Sequence, residues 1–270
     1  FLVDDDNHDT SVSGGSIIAG IGFICGVRCV VFVDDSGINA GALTAKSIDK
    51  ALGCLDISLK QKLPFIHLVE SSGINLMNYT VEFWSNTGGM FYGLAKLSAA
   101  GIPTIAVLHG LSTAGGAYQP GMSDYVIGVK KNGMAALAGP ALLKAATGEI
   151  AKNEELGGSE MHSRVTGLVE YLADDDAHAI EIVRDLINKI DWNSKILKRE
   201  TIKFQEPIYD CGEIIGVVPI DYKVPYDVRE LIARIVDGSD FIDFKPQYGV
   251  STICVHTKIN GFACGIIGNN

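Results

Sequence analysis

What the chain lacks narrows its range. None of its apolar runs approaches the roughly 20 residues that a membrane-crossing helix needs, so no membrane partner is expected. No run of Lys and Arg stands anywhere along it, and 22 basic against 32 acidic residues leave a formal charge of −10. A nucleic acid would meet repulsion rather than a basic footprint. An anionic small ligand stays compatible, because backbone dipoles hold one locally. The six cysteines (Cys25, Cys29, Cys54, Cys211, Cys254 and Cys264) form no CxxC pair and have no paired His cluster. No metal is therefore expected, and buried reduced thiols of a cytosol-like compartment are. The opening "FLVDDDNHDT" has neither the basic n-region nor the apolar h-region of a secretory signal. With no initiator Met, the sequence reads as a processed chain or a fragment.

With 47% apolar and 20% charged residues in 270, the chain can build a substantial core, as one large domain or two small ones. Apolar runs alternate with helical patterns. Ser16–Ile24 and Cys29–Val33 read as a hairpin across a turn at Cys25–Arg28. Thr44–Lys62 reads as a helix with Ile48, Leu52, Leu55 and Leu59 on one face. Strands are expected at Phe65–Val69, Thr104–Leu108 and Tyr125–Val129. Helices are expected at Phe91–Ala100, closed by Gly101 and Pro103, and at Ala141–Thr147 behind Pro140. The clearest helix is Asp174–Ile190, acidic at its start and striped by Ile180, Val183, Ile187 and Ile190. A polar connection, Asp191–Val224, leads to a helix at Asp227–Val236.

The end of the chain repeats its beginning. Gly14–Asp35 lies over Gly249–Asn270 without a gap, matching Gly14 to Gly249, Ser16 to Ser251, Ile18 to Ile253, Ile24 to Ile259, Gly26 to Gly261 and Cys29 to Cys264. Two readings stay open: unrelated hairpins sharing turn chemistry, or a second domain that starts over.

The stretch "TIAVLHGLSTAGGAYQPGMSD" (Thr104–Asp124) carries the chemistry. A β-type run ends in Gly, Ala, Ser and Thr, and Gly115-Gly116 open a helix. The first turn of a helix has N–H groups without intrahelical partners, and glycine lets a ligand atom reach them. Such a turn can act as an oxyanion hole for a carbonyl oxygen gaining charge. Ser71-Ser72-Gly73, after the strand Phe65–Val69, is a second turn of the same kind. Tight packing turns explain either one equally, and the two together leave both readings open. Ser112 belongs to "GLSTAG", one residue too long for a nucleophile elbow, and reads as a hydrogen-bonding turn residue. "AGALTAKS" (Ala40–Ser47) lacks the glycines of a phosphate loop. No carboxylate or His lies within Ser112–Met122, so any base is remote or arrives with a cofactor. His67 reads as a core or edge residue, and His109 and His162 qualify as bases by residue type only.

The ordered series "STAGGAYQPGMSDY" (Ser112–Tyr125), "LAGPALLKAATGE" (Leu137–Glu149), "EELGGSEMH" (Glu154–His162) and "VTGLVEYLADDDAHAI" (Val165–Ile180) resembles the carboxyltransferase (β) subunit of biotin-dependent acyl-CoA carboxylases. The similarity is greatest to the methylcrotonyl-CoA and geranyl-CoA carboxylase branch, and it runs from about Gly14 to the end. The resemblance implies an α/β, crotonase-like spiral of ββα units. It divides the chain into an acyl-CoA-binding domain at 1–224, a linking helical region at 225–248, and the first hairpin of a second domain at 249–270. It places oxyanion donors at Gly115 and Gly116, and substrate contacts at Ser72, Gly73, Ser112, Ala114, Ala117 and Tyr118.

The implied activity is transfer of CO2 from carboxybiotin to an acyl-CoA enolate, with no metal in this chain. Biotin rides on a biotin carboxylase or biotin carrier partner; the sequence has no Met-Lys-Met to carry it. The family also implies self-association in a dimer-based oligomer, such as a hexamer, with sites shared between subunits. The stretch alone would then bind acyl-CoA without transferring the carboxyl group. The implied location is the cytoplasm, or the mitochondrial matrix in a eukaryote.

Three departures bear on acyl-chain preference and CoA contacts: Asn39-Ala40-Gly41, Ile74-Asn75-Leu76 after Gly73, and the stretch Met77–Met90. They leave two alternatives in play. One is a crotonase-like acyl-CoA hydratase, isomerase or hydrolase with its own acid or base; the other is a non-catalytic CoA-binding assembly module.

Overall fold

The first regular element is a hairpin. In the computed structural model, which describes residues 15–74, 80–195, 203–221, 223–246 and 249–270, β1 (Ile17–Ile24) and β2 (Val27–Asp34) pair antiparallel from Ile17↔Asp34 to Ile24↔Val27. Only Cys25 and Gly26 are left for the turn, with φ of 49° and 77°. The turn is tighter than the expected Cys25–Arg28, because a two-residue turn with positive φ matches the twist of the strands it joins.

A parallel series follows: α1 (Ala45–Gln61), β3 (Phe65–Val69), α2 (Val81–Ala99), β4 (Thr104–Leu108), β5 (Leu111–Thr113), α3 (Gly115–Gly121), β6 (Tyr125–Val129), β7 (Met134–Ala136), α4 (Pro140–Thr147), α5 (Asn153–Gly157), α6 (Ser159–Met161), β8 (Tyr171–Ala173), α7 (Asp176–Ile190) and α8 (Trp192–Lys195). The main sheet runs β1-β2-β3-β4-β6-β8, parallel from β2 onward. Strand order in space is thus strand order in the chain. A second layer is made of short pieces: β5 pairs with β7, and Leu43 bridges Ile74. A main strand, a short extended stretch and then a helix is the recurring unit. β3 and β4 read as apolar runs because a strand inside a parallel sheet is covered on both faces: β4 is buried throughout and β3 at all but Leu68.

The helices follow their caps. Ser47 N donates to Thr44 Oγ1 at the start of α1, whose Ile48 and Leu55 are buried. α2 begins at Val81, well before the expected Phe91, behind a cap in which Phe83 N donates to Thr80 Oγ1 at 3.1 Å. Glycine is a poor helix former, so Gly88-Gly89 hid this half. Gly89 and Gly93 are what let α2 approach α1: a Cβ there would stand 3.0 Å from Leu52 Cδ2 and 2.7 Å from Leu55 Cδ1.

α7 buries Ala179, Val183 and Ile187, with Ala179 in the place expected for Ile180. Its cap is Asp175, which accepts from His178 N at 2.8 Å. Asp175→Ala will lower stability by about 1 kcal/mol in a denaturant melt. An unchanged midpoint would remove the cap from the account.

The contacts divide the chain into Phe1–Leu197 and Lys198–Asn270. The first unit holds the large core, centred on Phe32, Ile66, Leu97, Ile105, Ile127 and Ile187. Inside the expected connection Asp191–Val224 the structure places α8, whose buried Trp192 donates its Nε1–H to Lys62 O, and α9 (Ile214–Val217). Residues 196–202 and 222 of that stretch, Gly14 of the repeat, and Asn75-Leu76 and Met77–Tyr79 lie outside the described residues.

The second unit contains α9, α10 (Arg229–Ile232), β9 (Phe241–Asp243), β10 (Thr252–Ile259) and β11 (Phe262–Asn269) around Ile232, Val236, Ile253 and Val255. The expected helix Asp227–Val236 shrinks to α10. Arg234 N and Ile235 N turn to the carbonyls three residues back, Leu231 O and Ile232 O, and tighten the end. Its hairpin copies the first one. Thr252↔Asn269 and Ile259↔Phe262 bound the pairing, and the turn is Asn260-Gly261 with φ of 52° and 80°. The closing bond also recurs: Asp35 N to Ser16 O at 2.8 Å, and Asn270 N to Ser251 O at 2.9 Å.

All six cysteines are free, but Cys25 and Cys211 are exposed rather than buried, the first because it sits at a hairpin tip. Cys29 is buried, and burial, aided by the neighbouring Cys25, pushes its thiol up to about 12. Among the described residues no helix is long and apolar enough to cross a membrane.

Candidate active site

Two turns at the carboxyl ends of β3 and β4–β5 meet backbone to backbone. The first is tied down on both sides. Ser71 Oγ donates to Gly41 O at 2.8 Å and accepts from Gly73 N at 3.2 Å. Thr113 N donates to Ser71 O at 2.9 Å, Leu43 N to Gly73 O at 2.7 Å, and Ser72 N to Ala40 O at 3.1 Å. Gly73 has φ of 87°, and a Cβ there would lie 3.1 Å from Gly115 N. A Cβ on Gly116 would lie 2.4 Å from Ser71 O. These glycines are needed for close packing, and that same packing sets where the next amides stand.

The second turn pivots on Ala114, whose φ of 49° and ψ of −119° are a conformation that a residue with a Cβ holds only when its surroundings insist. Its N–H donates to Ala136 O at 3.1 Å, and its carbonyl accepts from Ala117 N at 3.1 Å. Between those two bonds stand the N–H groups of Gly115 and Gly116. Among the described residues neither has an acceptor. They are the first amides of α3, where the helix itself offers none.

A cavity of about 650 Å³ opens here. Of the residues singled out in the sequence, Ser72, Ala114, Gly115 and Tyr118 line it. The other four support it from behind. Gly73 and Gly116 are buried at the turn contact, and Ala117 packs against the cluster of Leu108 and Val126. Ser112 corrects an expectation: it sits in β5 rather than in a turn, fully buried, with no hydrogen-bond partner for its Oγ.

The rest of the lining is Ile74, Trp84, Thr87, Gly88, Phe91 and Leu137, apolar but for Thr87. Ile74 and the stretch 77–90 that holds Trp84, Thr87 and Gly88 are among the departures bearing on the acyl chain, but the sequence marks none of the six as a site residue. Four of these fall three or four apart on α2, one helical face, but the pattern shows only once the helix is known to start at Val81. Phe91 and Tyr118 pack with ring centroids 5.4 Å apart and planes tilted at 47°.

No carboxylate, His or Lys is among the lining residues. His67 Nε2 donates to Asp34 Oδ2 at 3.1 Å deep in the sheet. His109 Nδ1 stands 4.0 Å from Glu70 Oε2, and its Nε2 is buried without a partner. His162 bonds Thr166 and Ala135 O. Among the described residues no three His, Cys, Asp or Glu side chains gather as a metal site.

The family described as carboxyl transferase domain matches residues 3–270. The chain belongs to the carboxyl transferase family. The β subunit of geranyl-CoA carboxylase from P. aeruginosa, a crystal structure, superposes with a TM-score of 0.82 at 47% identity, over 95% of this chain and 48% of that one. A probable biotin-dependent acyl-coenzyme A carboxylase beta2 subunit from Mycobacterium tuberculosis is 44% identical over 95% of this chain and 48% of its own length. The mitochondrial methylcrotonoyl-CoA carboxylase beta chain of Dictyostelium discoideum is 43% identical over 96% of this chain and 44% of its own. This carboxyl transferase chain therefore spans about half the length of the curated relatives it matches. Its cavity and both turns lie within the unit Phe1–Leu197.

Proposed function

We propose that this chain is the acyl-CoA side of the carboxyltransferase component of an acyl-CoA carboxylase, with Gly115 and Gly116 as its oxyanion donors. The observation that carries the reading is the uncommitted amide of Gly115 in the lining of a largely apolar cavity, with the uncommitted amide of Gly116 next to it in the chain and no carboxylate, His or Lys in that lining. Deprotonating an acyl thioester next to its carbonyl moves charge onto the carbonyl oxygen. Two preorganised N–H groups stabilise that charge more than they stabilise the neutral thioester, which is the condition for speeding the step. Ile74, Trp84, Phe91 and Leu137 hold the acyl chain and keep water from it. Biotin, carried on a biotin carboxylase or carrier partner, supplies the CO2 and the base when bound. A hydratase, isomerase or hydrolase that works through a His or carboxylate needs one at the cavity, and neither is in its lining.

The same reading extends to architecture. Strands added in chain order and the recurring strand–stretch–helix unit support a crotonase-like spiral. The copied hairpin supports a second domain starting at 249, after a linking region at 225–248 and a first domain at 1–224 that runs past the contact boundary at Leu197. Self-association in a dimer-based oligomer such as a hexamer is supported by α4, which buries no residue and carries exposed Leu142, with exposed Leu137 before it and exposed Ile150 after it. The cytoplasm, or the mitochondrial matrix in a eukaryote, is the corresponding location.

Binding tests the reading directly. A short branched CoA thioester will bind at least about tenfold tighter than its S-alkyl thioether, which lacks the carbonyl oxygen. Gly88 faces open space, with nothing within 4 Å of a Cβ. Gly88→Phe will fill the cavity, leave the melting temperature in place and reduce acyl-CoA affinity to that of free CoA. Equal affinity for thioester and thioether in the wild-type chain would refute the oxyanion reading.

A further inference from the structure

We propose that the buried Asp34–His67 pair is a positioning device for this site, holding the end of β3 so that Ser71–Gly73 stays seated under Gly115 and Gly116. The inference rests on the oxyanion reading and adds residues outside the cavity to it. The Asp34 side chain is fully buried and that of His67 is 2% exposed. Such a pair gains the core little, since apolar residues of similar volume pack there as well or better. Its use must lie in what it holds.

Asp34 Oδ2 accepts two bonds, from His67 Nε2 at 3.1 Å and from Glu70 N at 3.2 Å, while Oδ1 has no partner. The carboxylate is thus committed to one place, the peptide that leads into Ser71. Phe32 presses edge-to-face on the imidazole, with centroids 4.8 Å apart and planes at 90°, and fixes its direction. The hairpin does not need the charge. In the second hairpin the same ladder position is Asn269, paired with Thr252 as Asp34 is with Ile17, and its side chain is exposed.

The path from the carboxylate to the amides is short. Ser71, bonded to Glu70, offers its carbonyl to Thr113 N, and that oxygen fills the space a side chain on Gly116 would need. Freeing Glu70 N lets Ser71 shift, and the aim of the two amides shifts with it. Asp34 and His67 touch no substrate; they act through the main chain.

The measurement is the affinity ratio of a short branched CoA thioester to its S-alkyl thioether on the full 270-residue chain. Asp34→Leu with His67→Leu removes both polar groups together, so the core stays free of an orphaned charge, but Glu70 N loses its acceptor. The ratio will fall about tenfold, with thioether affinity within about twofold of wild type. Asp34→Asn keeps an acceptor oxygen and will keep most of the ratio. Amide exchange at Glu70 will quicken in the double variant and not in Asp34→Asn. A ratio that survives in the double variant overturns this inference alone, as does a fall shared equally by the thioether, which would mean general loosening. A wild-type chain without any preference overturns the oxyanion reading and takes this inference with it.

Discussion

Alanine at position 116 will reduce turnover of the assembled carboxylase by about 10²–10³, mostly in kcat. The reason is steric and local. The added Cβ would fall 2.4 Å from Ser71 O and 3.0 Å from Ser71 Cβ, and the first of these is backbone that cannot rotate away. Either α3 lifts off the Ser71 turn or the turn moves, and the two amides stop pointing at one oxygen. Gly115→Ala is the control. Its Cβ meets no protein atom nearer than Gly73 Cα at 3.9 Å, so it will leave the fold and the melting temperature in place and lower kcat only through the methyl it sets before the amide. An active Gly116→Ala enzyme would show that the amide there is not aimed at the reacting oxygen.

Gly41→Ala will lower stability by about 3 kcal/mol or more, read as a large drop in the denaturation midpoint. Gly41 has φ of 68°, and a Cβ would stand 2.2 Å from Glu70 O and 3.1 Å from Ser71 Cα. Strain and a backbone clash add, and no rotamer relieves either. Gly53, inside α1 with nothing within 4 Å, gives the opposite sign. Alanine there will raise stability by roughly 0.5–1 kcal/mol, because helix glycine carries excess unfolded-state freedom. A Gly41→Ala chain that melted with the wild type would remove the tight seat between the 39–43 loop and the Ser71 turn from the account.

The elements that were legible in the sequence share one property: local pattern and tertiary use agree. β3, β4 and β6 are short apolar runs between glycine or proline punctuation, and they are buried strands. α7 carries an acidic start and an apolar stripe, and it is a helix from Asp176. The repeated hairpin was visible residue by residue, and its turn and closing bond repeat as well. Where the reading fell short, a long-range contact had overruled local preference. Gly88-Gly89 masked the first half of α2, yet Leu52 of α1 needs position 89 empty and Leu55 needs position 93 empty. β5 and β7 are too short to carry a period and exist only because they pair with each other.

For the site, the two turns were found from their small residues, since only such residues allow backbones to touch. The cavity wall was not, because half of it lies on the part of α2 that glycine concealed. Asp34 and His67 were out of reach for a different reason. A carboxylate at the end of one strand and an imidazole on the next look like separate edge residues until the ladder sets them side by side.

The order of the main sheet has a bearing on how the chain is made. Every parallel strand of the main sheet docks beside the main-sheet strand synthesised before it, so each pairing closes a modest loop and none waits for a distant partner. The first unit can be laid down strand by strand as it leaves the ribosome, with the β1–β2 ribbon as its founding edge.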